Sequence, residues 1–373
     1  MIVFITIPWF LPAYRAGGPI QSVANLVENF NEGVTYRIFC GATDLNGEAL
    51  EGIETGKWLR YNDYTQVWYA EKDEISKTIT TQTEKIKPDV LYIIGLFSWH
   101  FNTVPMIFGT AKKKILSVRG MLHPGALSQK QIKKHLFLDA LKITGIQKKI
   151  VFHATDEAEQ EYIKKEFGKQ AKIEVASNFG KVIKKQKSLL KEKGILKLLS
   201  VALISPMKNH LPVLKALSHC TQNIEYNIFG PVKDFSYWQQ CLQVIKFLPE
   251  NIKVQYHGEI SPASVCAVLN LSHVFILPSK SENFGHAIFE ALSAGKPVIT
   301  SHATPWNNLQ ENTAGINTEP TEKELQKAIE FFADMDNDAY LEYSEGTSSY
   351  IILKNNYSKL RAQYTNMFSV NKT

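Results

Sequence analysis

The sequence predicts an α/β protein of two doubly wound, parallel-sheet domains facing each other across a cleft. Three observations carry that expectation. Short apolar, β-branched runs recur along the chain with helical patterns between them. They fall into two groups of similar size, one in each half. The 373 residues suit two domains, each able to bury its own core.

In the first half the runs are IVFITI at 2–7, YRIFC at 36–40, VLYIIG at 90–95, KILSV at 114–118 and IVFHA at 150–154. In the second half they are LLSVA at 198–202, YNIFG at 226–230, IKVQYHG at 252–258, VFILP at 274–278 and PVIT at 297–300. Strands that are apolar without alternation are covered on both faces, as in parallel sheets flanked by helices. Between the groups, the stretch from Gly180 to Gly194 is rich in lysine and poor in strand formers, which marks a domain boundary. A first Rossmann-like domain is therefore expected over 1–180 and a second over 181–347. The remaining segment, 348–373, has helical spacing from about Ser348 to Phe368 and is expected to pack back on the first domain.

The composition, 44% hydrophobic and 21% charged with no low-complexity run, is that of a globular protein. Cys40, Cys220, Cys241 and Cys266 form no CxxC pair and no metal-ligand spacing with histidine. Scattered thiols point to a reducing compartment, hence to the cytoplasm. The opening MIVFITIPWFLP lacks a basic flank and a small-residue cleavage site, so it reads as a buried strand. No stretch reaches the roughly 18 uncharged apolar residues of a membrane span.

The net charge of +6 is unevenly spread: from Lys112 to Lys149 ten basic residues face one acid, Asp139. Such a stretch is either a solvated lysine-rich surface or a face for anionic lipid headgroups or a phosphorylated acceptor. Nucleic acid is not expected, because no binding motif accompanies the charge.

The most informative stretch is VFILPSKSENFGHAIFEALSAGKPVIT, 274–300. A buried strand ends at Pro278 and a polar loop runs to Asn283. A helix is expected from about Phe284–Gly285 to Ala294. Gly295 suits the left-handed position after a helix, and Pro297 blocks its continuation. The backbone N–H groups of Asn283, Phe284, Gly285 and His286 would lie at a helix N-terminus, suited to anionic or sugar oxygens. Glu282 precedes the helix and Glu290 lies eight positions on, roughly 10 Å away at the helical rise. That separation excludes a shared proton and suits two contacts on one elongated ligand, such as a sugar and a ribose.

The stretch from Glu282 to Glu290, followed by Ala291 to Val298, resembles the E-x7-E signature and A-x-A-G-x-P-V run of retaining glycosyltransferases with the GT-B fold, in particular family 4 and its polysaccharide-assembly members. The resemblance implies two Rossmann-like domains and a nucleotide-sugar co-substrate with no other cofactor and no metal. It assigns Glu290 to the ribose hydroxyls and Glu282 to the donor sugar, with the donor's anomeric configuration retained.

Elsewhere the resemblance implies further roles. Gly17 and Gly18, in YRAGGP at 14–19, match a glycine-rich turn whose amides approach the donor diphosphate. VALISPMKN at 201–209 matches a G-R-x-S-x-x-K-G stretch, so Lys208 is assigned to the diphosphate, whereas the family arginine falls on Leu203. Arg15 or Arg119 is expected to replace it. SVRGMLHP at 117–124 resembles an R-G-M-L-x-P stretch and implies that Arg119 helps to hold the donor and that His123 lies near donor sugar or acceptor hydroxyl. Lys208, Glu282 and His123 are thus the expected catalytic groups.

Asp334-Met335-Asp336-Asn337-Asp338 imitates both a D-x-D motif and an EF-hand loop ending at Glu345. The sixth position is Ala339, where that loop needs glycine, so a helix–helix turn is expected. The activity implied is transfer of a sugar, from a UDP-sugar in preference to a GDP-sugar, to a saccharide or lipid-linked saccharide in surface polysaccharide assembly. Such an enzyme would be cytoplasmic, with peripheral contact at the inner membrane face through 112–149. The alternatives are a nucleotide-sugar-binding protein of the same fold without transferase activity, or a sugar-nucleotide epimerase.

Overall fold

The structure, a computed structural model, describes residues 1–127, 131–186 and 188–370. Lys130, Lys187 and residues 371–373, which belong to stretches singled out above, lie outside the described residues. The chain divides into two compact units, one of Met1–Phe179 with the chain's end from Tyr357, the other of Gly180–Asn356.

The first unit contains β1 (Ile2–Thr6), α1 (Gly18–Asn29), β2 (Thr35–Gly41), β3 (Trp58–Arg60), β4 (Thr65–Ala70), α2 (Ile75–Ile86), β5 (Val90–Ile94) and α3 (Val104–Phe108). It continues through β6 (Lys113–Ser117), α4 (Pro124–Leu127), α5 (Gln131–Thr144), β7 (Val151–Ala154), α6 (Glu157–Phe167) and β8 (Ile173–Val175). Its eight-stranded sheet has the order β3-β4-β2-β1-β5-β6-β7-β8. All neighbours are parallel except β3 and β4. Val3 and Ile5 of β1 enter one core with α1, while Phe4 enters the other with α2 and α6. That alternation is the two-residue period of a strand covered on both faces.

The second unit holds β9 (Ile195–Val201), α7 (His210–Leu217), β10 (Asn223–Phe229), α8 (Phe235–Lys246), β11 (Ile252–Tyr256), α9 (Val265–Asn270) and β12 (Val274–Leu277). Then come α10 (His286–Ser293), β13 (Val298–Thr300), β14 (Gly315–Asn317), α11 (Glu322–Ala333) and α12 (Asn337–Lys354), with α13 (Tyr357–Phe368) closing the chain. The six-stranded parallel sheet has the order β11-β10-β9-β12-β13-β14. Again successive residues part: Val274 and Ile276 of β12 face one core, Phe275 and Leu277 the other.

The segment expected to leave the second domain at 348 does so later. Ser348 to Lys354 continue α12, because Tyr350 and Ile351 bury beside Trp306 and the Tyr350 hydroxyl donates to the Asn307 carbonyl at 2.8 Å. Only α13 joins the first unit, through Leu360, Tyr364, Met367 and Phe368. The 334–338 run is a helix–helix turn: Asp336 caps α12 by accepting from the Ala339 amide at 3.0 Å, and Asp334 closes α11. No helix among the described residues is long and apolar enough to cross a membrane.

Candidate functional site

Strand order places the ligand-binding edge of each unit. In the second sheet the chain runs outward from β9 to β10 and β11, then restarts beside β9 with β12 and proceeds the other way. Loops leaving the carboxyl ends of β9 and β12 therefore diverge, and a crevice opens at such a switch point. Lys208 lies on the loop after β9, and Glu282 on the loop after β12.

Their side chains meet. Lys208 Nζ and Glu282 Oε1 are 2.5 Å apart, both side chains largely but not wholly buried. Ser279 Oγ also donates to Glu282 Oε1, at 2.6 Å. Two further bonds join the loops: Asn209 Nδ2 to the Pro278 carbonyl at 2.8 Å, and the Lys280 amide to the Met207 carbonyl at 2.9 Å. Asn209 does this from a left-handed backbone, φ 57°, which asparagine tolerates better than most residues. The sequence signal for that clamp was present: an asparagine directly after the lysine of the matched stretch.

The helix expected near Phe284 begins at His286, after Gly285. Gly285 has φ 74°, and an added Cβ would meet Trp306 Nε1 at 3.2 Å. Trp306 holds the turn by donating Nε1–H to the Phe284 carbonyl at 2.6 Å, with the two rings edge to face. Nothing in the sequence marked Trp306 for this role. The helix closes as anticipated, with Gly295 at φ 80° and the Lys296 amide returning to the Ala291 carbonyl.

Glu290 sits on α10 with 4% of its surface exposed. Burial raises its pKa to about 7, opposed by the positive charge of Lys181. Near neutral pH such an acid is present in both its protonated and its ionised form. Leu203, where a cation was looked for, is half-buried on the loop after β9. That loop is pinned to the next one by Ala202 N to Phe229 O and Ile204 N to Pro231 O, each 2.9 Å.

In the first unit the switch point falls between β1 and β5. The loop after β1 ends in Gly17, φ 71°, which begins α1 with no side-chain cap. No atom lies within 4 Å of where its Cβ would stand, so the turn is open for close approach. Arg15 is engaged by Glu48 at 2.6 Å, and Asp44 accepts the Tyr14 amide at 3.2 Å.

Arg119 is engaged within its own unit. Its guanidinium turns into the first unit, where it donates to Asn178 Oδ1 and to the Tyr92 hydroxyl. Tyr92 and Ser117 in turn meet His153 Nδ1 at 2.7 and 2.9 Å, and His153 Nε2 reaches the Ala176 carbonyl. Burial, with Arg119 beside it, depresses the His153 pKa to about 3, so the imidazole is neutral. The Arg119 Nε, also buried, has no hydrogen-bond partner among the described residues. At Arg119 itself φ is 51°, which turns the chain toward His123, and Glu159 fixes that turn by accepting from the Gly120 amide.

His123 is half-buried at the start of α4 with its ring edge to face on Tyr162. Its Nδ1 accepts from the Gly125 amide at 3.1 Å. With Nδ1 occupied as an acceptor, the ring hydrogen is placed on Nε2.

Comparisons with known proteins agree with this geometry. No curated protein matches the chain. Sucrose-phosphate synthase from Thermosynechococcus elongatus superposes with TM-score 0.73 at 16% identity, over 98% of each chain. HepE of Anabaena, solved with UDP and glucose, gives 0.70 at 15% over 98% of this chain and 99% of that one. A UDP-forming trehalose-phosphate synthase from Burkholderia xenovorans, solved with glucose-6-phosphate, gives 0.68 at 10% over 98% and 99%. At these identities the likeness is one of fold, and the fold is GT-B. Residues 181–345, nearly all of the second unit, match the family model of Glycosyl transferases group 1, so this unit carries a glycosyltransferase group 1 domain.

Proposed function

We propose that the protein is a retaining glycosyltransferase that moves a sugar from a nucleotide diphosphate donor, a UDP-sugar in preference to a GDP-sugar, to a saccharide or lipid-linked saccharide in surface polysaccharide assembly. The observation that carries the proposal is the Lys208–Glu282 pair at the switch point of a glycosyltransferase group 1 domain, with the buried Glu290 on the helix that follows the Glu282 loop. HepE, solved with UDP and glucose, supports the preference for uridine.

The residues divide the donor between them. Glu290 accepts hydrogen bonds from the ribose hydroxyls. Lys208 leaves Glu282 for the diphosphate and stabilises the charge that grows as the sugar–phosphate bond breaks, a task that needs no metal ion. Glu282, released, accepts from sugar hydroxyls. The amides of Asn283 to His286 take sugar or phosphate oxygens, and those of Gly17 and Gly18 approach the diphosphate. His123 donates Nε2–H to the donor sugar or the acceptor. No side chain acts as a nucleophile: the acceptor hydroxyl attacks on the face from which the phosphate departs and gives that phosphate its proton, which retains configuration. Arg119 has no part.

The test is thermal stabilisation and slow hydrolysis across a panel of nucleotide sugars, with Glu290→Ala as control. Stabilisation by one nucleotide class, with hydrolysis lost in the variant, is the expected result. Stabilisation without turnover, in the presence of saccharide acceptors, would favour a binding protein, a reading to which the uncharged Leu203 lends weight. No response from the folded protein would remove the donor site.

A further inference from the structure

The basic stretch from Lys112 to Lys149 comes apart in three dimensions. Lys112 pairs with Asp89 at 2.7 Å, while Lys113 and Lys114 donate to the carbonyls of Ser369 and Met106. Arg119 is turned inward. What remains is α5 and the turn after it. There Lys133, Lys148 and Lys149 are exposed, and no acid partner for them exists among the described residues.

The same helix carries an apolar stripe that none of the described residues covers. Leu138 and Leu141 point into the core, yet Ile132, Leu136 and Ile143 are 78%, 65% and 86% exposed. At 100° per residue these three fall within about 40° of arc, so they form one line along the outer face. Asp139 shares that face, 3.2 Å from Lys142, which also pairs with Glu166 at 2.7 Å. Exposed leucine-sized side chains are ordinary singly, but three in line, flanked by unpaired lysines, are not.

We infer that the outer face of α5 docks on an anionic lipid bilayer, with Ile132, Leu136 and Ile143 entering the headgroup boundary and Lys133, Lys148 and Lys149 meeting lipid phosphates. Two arguments favour a bilayer over a second copy of the chain. The stripe offers a few hundred Å² at most, against the roughly 800 Å² per partner of a stable protein interface. A symmetric dimer through this face would also oppose its own lysines. A bilayer accepts a narrow apolar ridge and rewards the charges, at about fivefold in partitioning per lysine. Attachment would be weak, reversible and sensitive to salt. The inference stands apart from the transferase reading and would survive its failure.

The experiment is flotation of the full chain with phosphatidylcholine vesicles, with and without phosphatidylglycerol. The wild type is expected to bind the anionic vesicles and not the neutral ones. K148Q/K149Q should weaken that binding about 25-fold, at fivefold per lysine, and I132S/I143S should abolish it. Both pairs are exposed, so circular dichroism and nucleotide-sugar binding should not change. Failure of the folded wild type to float with phosphatidylglycerol overturns the inference, as do variants that bind like wild type. Light scattering that shows a dimer lost in I132S/I143S would assign the face to self-association and overturn it as well.

Discussion

Replacing Glu290 with glutamine separates the two things its buried carboxylate does. Folding holds this acid at a pKa of about 7, against 4.5 when it is free. Between those values the native state keeps a proton that the unfolded chain has released. Stability contributed by this group is therefore full below pH 4.5 and falls as pH rises, levelling off above 7. A shift of some 2.5 units at about 1.36 kcal/mol each amounts to about 3 kcal/mol. The glutamine cannot titrate, so the variant should gain about 2.5 kcal/mol on the wild type between pH 5 and pH 8, part of the loss having already occurred at pH 5. Denaturant midpoints at the two pH values measure it. His153, His210 and His273, all held neutral by burial, destabilise the fold as pH drops through their unfolded value near 6.5. Their slope has the opposite sign and cancels in the difference between variant and wild type.

Donor binding should run the other way. If ionised Glu290 accepts the ribose hydroxyls, affinity for the nucleotide sugar should fall about tenfold from pH 8 to pH 6, as the carboxylate protonates. The variant should bind more weakly at pH 8 and show no such slope. An intact nucleotide sugar is the right probe, because a free terminal phosphate titrates in the same range. A wild type and a variant with parallel stability curves would refute the buried-acid argument. Equal donor affinity across pH in both would refute the ribose contact.

Lys208→Ala should lower kcat by about 10²–10³, with the fold unchanged, and steady-state kinetics measure it. Glu282→Gln should reduce turnover while nucleoside diphosphate binds at least as tightly, since Lys208 loses its competitor; calorimetry with the diphosphate and a rate assay with the donor separate the two. His210 is buried with neither ring nitrogen hydrogen-bonded, so His210→Leu should stabilise the protein by about 1–3 kcal/mol, read from denaturant midpoints. Chelation of divalent ions should leave turnover unchanged, in a direct assay with and without chelator.

The parallel sheets were legible because each buried strand spells its own burial. IVFITI, VLYIIG and VFILP are apolar at consecutive positions, and β1, β5 and β12 lie where those runs lie. What escaped was strand structure without that signature. β3 and β4 form an antiparallel ribbon on the sheet edge, and Trp58–Arg60 has few buried residues to announce it. β8 and β14 are three residues long and exist through pairing with β7 and β13, which local pattern does not encode. The end of the second unit was misplaced for a related reason. The spacing of 348–368 is helical throughout, and only Tyr350 beside Trp306 says which unit its first turn joins.

The candidate site divides along the same line. Gly285, Gly295 and the two glutamates were readable because backbone conformation and local spacing impose residue types at fixed offsets. Arg119 was not, because a guanidinium serves a phosphate or a buried polar network with the same donors, and the choice rests on partners far away in sequence. Its partners are Tyr92 and Asn178, 27 and 59 residues distant. On the proposed reading, with no cation at Leu203, Lys208 carries much of the leaving diphosphate's charge. Glu282, itself bonded by Ser279, holds that lysine before any donor arrives, so on the same reading the pair must part when the diphosphate binds, which leaves the carboxylate free for the sugar.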